Sequence, residues 1–137
     1  MPAYARSLLI EMMDDKATFN QAFRERTKHA SLRVIRLFQQ LPRTGEAQVL
    51  GKQLLRSATS VAANYRAACR GRSGAEWFAK MSICLEEADE TQFWLELLSD
   101  ASIFPKAKLA NLEQEYATIV AILTTARKSF KDNQNSK

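Results

Sequence analysis

The densest run of reactive side chains is Glu86-Glu87-Ala88-Asp89-Glu90, four carboxylates within five residues. Carboxylates on a helix can hold iron, manganese or magnesium when facing helices add further ligands. Di-iron bundles draw Glu and Glu-x-x-His from paired helices. Here the acids crowd one segment and no such histidine accompanies them, so a salt-bridging surface is the expectation. His29 is the sole histidine. It stands among Arg26, Arg33 and Arg36 with no nucleophile or carboxylate partner near in sequence, which gives a general base nothing to act with. Cys69 and Cys84 have no framework spacing and read as reduced core thiols, which suits a cytoplasmic protein. No residue pattern here points to a catalytic group, a cofactor or a metal.

Those residues sit on long periodic segments. In 137 residues there are only three prolines and four glycines, and four stretches repeat apolar residues at the 3.5-residue spacing of a bundle helix. The first runs Phe23, Thr27, Ala30, Val34, Leu37, Leu41, opened by a capping box at Thr18-x-x-Gln21 and stopped by Pro42. The second runs Leu54, Ala58, Val61, Tyr65, Ala68, with Thr44 placed to cap it and Gly71 to end it. The third runs Phe78, Met81, Leu85, Ala88, Gln92, Leu95, Ser99 behind the capping box Ser73-Gly74-Ala75-Glu76. The fourth runs Leu109, Leu112, Tyr116, Ile119, Leu123, Ala126, Phe130 after Pro105. Connections of about three to five residues force neighbouring helices antiparallel. The expected fold is an all-α, up-down-up-down four-helix bundle over residues 18–130, with residues 1–17 and 131–137 as flexible ends. No apolar run approaches the ~20 residues that span a bilayer, and no secretion signal is evident.

The net charge of +5 is unevenly spread. Residues 24–72 carry eleven Lys/Arg against Glu25 and Glu46, while residues 76–100 carry Lys80 against seven acids. A hairpin folded at residue 73 sets Arg56 opposite Glu90, with Glu86 and Glu87 one turn away. That predicts a partly buried ion-pair network, in which losing one partner would cost ~3–5 kcal/mol if the group were desolvated. The same register sets Ala58 opposite Ala88, so the second and third helices should pack tightest. On the third helix a second face, Ile83, Glu87, Glu90, Trp94 and Leu97, turns away from the core stripe and reads as an oligomer interface. Arg26, Arg33 and Arg36 on the first helix, with Lys52, Arg66 and Arg70 on the second, form a basic surface. It suits nucleic-acid phosphates, RNA or single-stranded DNA, or else salt bridges to the acidic face of the third helix, within one chain or from a neighbour.

The run from Gln53 to Ala68, with its Arg56-Ser57-x-x-Ser60-x-x-Ala63-Asn64 pattern, resembles the bacterial four-helix bundle proteins of the 23S rRNA intervening-sequence type. Glu86–Glu90, Trp94–Leu98 and the Leu37–Pro42 helix end extend the resemblance to about residues 20–130. Many members carry Ala-Glu-Gly after the asparagine, where this chain has Tyr65, Arg66, Ala67 and Ala68, so nothing tied to that glutamate transfers. The resemblance implies a cytoplasmic, non-enzymatic homo-oligomer, a ring of five subunits. A related bundle, the accessory protein of diversity-generating retroelements, binds a reverse transcriptase and nucleic acid, which implies a nucleic-acid or protein partner.

Overall fold

The computed structural model describes residues 2–135, and the side chains of residues 2–4 and 15–135. It is built of four helices: α1 Ala3–Gln40, α2 Gly45–Cys69, α3 Gly74–Asp100 and α4 Lys106–Asn135. Side-chain contacts fix their directions. Along α1 and α2, Ser31 reaches the Ala58 carbonyl and Asn20 reaches Tyr65. Along α2 and α3, Arg56 meets Glu90 while Val61 meets Cys84. Gln92 and Glu96 of α3 share a groove with Ala117 and Glu113 of α4, and Ser82 bonds Arg127 farther on. Arg26 meets Glu115, whereas Arg33 meets Asn111. In each pair one index rises as the other falls, so every adjacent pair is antiparallel and the bundle is up-down-up-down.

Two boundaries differ from the sequence reading. Thr18 does not open α1, which begins at Ala3 behind Pro2. No glycine or proline lies between Ala3 and Leu41, so nothing breaks the helix at Thr18, and a capping box acts only where the chain turns. Likewise α4 continues to Asn135, past Phe130; residues 136 and 137 lie outside the described ones. Thr44 holds the N-cap position of α2 without a side-chain bond, its carbonyl instead accepting from Gln48 N. Ser73 does cap α3, accepting from the Glu76 amide at 3.1 Å.

The α3–α4 connection ends α3 in a Schellman motif. Ser102 N donates to Ser99 O and Ile103 N to Leu98 O, both at 3.0 Å. Ser102 itself takes the left-handed conformation, φ 56°, where glycine is usual.

The core stripe on α3 is rotated from the expected one. Cys84, Thr91 and Leu98 are buried where Leu85, Gln92 and Ser99 were expected, while Met81, Ala88 and Leu95 serve in both. Hydroxyl and thiol are tolerated inside because small residues on α2 receive them. Thr91 Oγ1 meets Ser57 Oγ, and Cys84 Sγ lies 3.7 Å from the Val61 carbonyl. Burial pushes the Cys84 thiol up to about 12, so it stays protonated. Cys69 is only half-buried. α2 and α3 are the most closely packed pair, and α1 and α4 the least. At the other end, a Cβ on Gly51 would come within 2.6 Å of Leu41 Cδ1, showing how near α1 approaches α2 there.

Candidate nucleic-acid interface

The basic residues separate into two groups, because α1 turns different sides to α2 and α4. Arg24 and Lys28, one helical turn apart, face α2. Together with Arg66 and Arg70 they line an open groove of about 530 Å³, floored by Ala62 and Ala63 and edged by Glu25. Lys28, Arg66 and Arg70 are exposed, and among the described residues none of them has an ion-pair or hydrogen-bond partner. The alanines leave the floor low, so an extended ligand can come close to the helix backbones.

Arg26, Arg33 and Arg36 face the other way, toward α4. Arg26 Nε lies 2.5 Å from Glu115 Oε1, and Arg33 donates to Asn111 Oδ1 at 2.7 Å. Arg33 and Arg36 border a shallow cleft of about 240 Å³ with Lys108, over Leu37, Phe104 and Leu109. Lys52 is exposed on α2, away from both clefts, and His29 is exposed on α1. Of the six cations read from the sequence, the structure brings only Arg66 and Arg70 into the α1–α2 groove, while Arg33 and Arg36 share the α1–α4 cleft. It adds Arg24 and Lys28, whose i, i+4 spacing on the side of α1 toward Ala62 was the signal available.

Arg56 bridges α2 and α3, with Nη2 2.7 Å from Glu90 Oε1 and Nη1 3.1 Å from Glu87 Oε2. Glu86 is exposed and, among the described residues, takes no part. The Arg56 side chain is 49% exposed, so this is a surface clasp and not a desolvated network. Hydrogen bonds donated to Glu90 and Glu87 hold the Arg56 guanidinium above its usual pKa. Arg56 and then the Trp94 indole hold Glu90 below the usual carboxylate value.

Trp94 is half-buried against the core and donates its indole N–H to Glu90 at 3.1 Å. It is not the outward residue expected of it, since rotation of the α3 stripe carries it toward α2. Phe93 is outward instead, 51% exposed and edge-on to Trp94 at 5.0 Å. Ile83 is exposed on the same helix, Leu97 is half-buried, and Val49 of α2 is 61% exposed. The sequence carries no signal for Phe93 as an outward residue, because it neighbours Gln92, which the apolar spacing places in the core.

Among the described residues no cluster of three or more His, Cys, Asp or Glu side chains could hold a metal ion, and no helix is long and apolar enough to cross a membrane. The arrangement defines an all-α bundle with a cationic groove between α1 and α2 and an acid-rich helix α3. The chain belongs to the 23S rRNA-intervening sequence protein family, whose pattern matches residues 20–125. A solved structure of a protein of unknown function from the S23 ribosomal protein family of Bacteroides thetaiotaomicron VPI-5482 is similar at 29% identity. That likeness covers 80% of this chain and 97% of the other, with a TM-score of 0.74. Comparison with curated proteins finds no match.

Proposed function

We propose that this chain is a non-enzymatic bundle protein that binds nucleic acid, RNA or single-stranded DNA, through the α1–α2 groove. The observation carrying this is the convergence of Arg24, Lys28, Arg66 and Arg70 on one concavity, three of them unpaired among the described residues. Like charges held together repel, and a polyanion relieves that repulsion while releasing its own counterions. Arg26, Arg33 and Arg56 already have partners on α3 or α4 and contribute less. The protein acts in the cytoplasm, where two free thiols persist. The test is a gel-shift or anisotropy titration with RNA and with single-stranded DNA. Binding that weakens steeply with salt supports the reading; no binding at low salt ends it.

A second reading is a structural or protein-binding homo-oligomer, a ring of five by family resemblance, docked through α3. It is favoured by the exposed Val49, Ile83 and Phe93, flanked on α3 by Glu86, Asp89 and Glu96. Assembly and nucleic-acid binding use different faces and are compatible.

A further inference from the structure

We propose that the α1–α2 groove grips the sugar-phosphate backbone of one unpaired nucleic-acid strand, through three to four phosphates and without regard to base sequence. It rests on the nucleic-acid reading above and adds the form of nucleic acid, the number of contacts and the absence of base readout.

The contacts between α1 and α2 give the register. The Phe23 ring packs edge-on to Tyr65 at 4.6 Å, Asn20 accepts from the Tyr65 hydroxyl, and Ser31 donates to the Ala58 carbonyl. Extended along the helices, this sets Arg66 level with a point just before Arg24, and Arg70 about one turn farther toward the start of α1. The cations therefore follow one another as Lys28, Arg24, Arg66, Arg70. At 1.5 Å rise per residue they are separated by ~6, ~3 and ~6 Å, about 15 Å in all. A strand carries one phosphate per ~3.4 Å when stacked and fewer when extended, so this length faces about three to four of them.

Cations staggered along the two walls of one groove, two on α1 and two on α2, suit a single strand lying between them. A duplex completes a turn in about 34–36 Å, so over ~15 Å each of its backbones winds through nearly half a turn and leaves the groove. Base readout lacks its usual tools here. Among the described residues no aromatic ring lines the groove for stacking, and no Asn or Gln offers a paired donor and acceptor. The alanine floor admits the backbone, and the bases are left facing solvent. Among the described residues Glu25 is the one acid lining the groove, and it opposes an anion there.

The experiment is fluorescence anisotropy with labelled oligonucleotides of about 12 nucleotides: oligo-dT, a mixed-sequence RNA and a duplex of equal length. Titrations run between about 50 and 200 mM salt. The expected result is similar affinity for both single strands, duplex binding weaker by about tenfold, and a log–log salt slope of about −2 to −3. Ala63→Glu, at an exposed position, should weaken binding at least about tenfold with an unchanged melting curve, while Glu25→Gln should tighten it. Arg70→Ala should flatten the slope by about 0.7, and Arg36→Ala, outside the groove, should leave it nearly unchanged. A preference for duplex, a strong base preference, or binding indifferent to Ala63→Glu would overturn this inference while leaving nucleic-acid binding standing. Absence of binding to every probe at the lowest salt would overturn both.

Discussion

Thr91 Oγ1 stands 2.9 Å from Ser57 Oγ, and both residues are fully buried between α2 and α3. With Ser31 of α1, whose hydroxyl bonds the Ala58 carbonyl, and the buried Tyr116 of α4, every helix places a hydroxyl in the interior. Burial raises the Tyr116 phenol well above its usual pKa, so it remains neutral. The Ser31, Ser57 and Thr91 hydroxyls hold the bundle to one register, since a slip would separate them from their partners, whereas the Tyr116 hydroxyl has no hydrogen-bond partner among the described residues.

Thr91→Val should therefore lower stability by about 1 kcal/mol, the net worth of a buried hydrogen bond. Combined with Ser57→Ala, the loss should fall short of the sum of the single losses by at least ~0.5 kcal/mol, because the two share one bond. Urea unfolding of the two single variants and the double variant measures this. Strict additivity would mean that the hydroxyls do not couple.

Arg56→Ala should cost about 0.5–1 kcal/mol, far below the desolvated-network figure, because solvent screens a half-exposed guanidinium. The effect depends on pH. Glu90 titrates lower in the folded protein than in the unfolded chain, so its pairing stabilises fully above the unfolded carboxylate pKa and is lost as pH falls through the depressed folded one. The difference in melting temperature between Arg56→Ala and the parent should be constant above about pH 6 and vanish toward about pH 3. A difference that persists in acid would assign the effect to packing of the arginine stem.

Ser102→Gly should stabilise the protein by about 1 kcal/mol, or about 3 °C in Tm, by removing the left-handed strain at the α3 C-terminus. Thermal melts of parent and variant decide it. An unchanged or lower Tm would show that the serine is not strained in place.

Phe93→Glu and Val49→Glu should reduce the mass seen by light scattering and leave the melting of the remaining fold nearly intact, as both side chains project outward. Trp94→Glu should instead destabilise by about 2–3 kcal/mol, since its ring packs on the core. A particle of unchanged mass in both outward variants would remove α3 and the start of α2 from any interface.

The repeat of apolar residues, the scarcity of glycine and proline and the Ser73 cap were enough to determine four helices and their order, because these depend on local geometry. The hairpin at residue 73 made the Arg56–Glu90 pairing legible, since a short turn permits one register. What lay beyond local geometry was the rotation of each helix about its axis. The Phe78–Leu85–Gln92–Ser99 stripe and the Cys84–Thr91–Leu98 stripe differ by a fraction of a turn, and size favoured the former. The choice fell to Ser57 and Val61 on α2, which give Thr91 and Cys84 polar partners inside. That rotation turned Trp94 in and Phe93 out. It was likewise the docking of α1 between α2 and α4 that sent Arg24 and Lys28 into the groove and Arg26 and Arg33 to α4. Sequence supplied the cations; only tertiary packing determined which of them remain without partners, because pairing depends on which side of α1 each neighbouring helix takes.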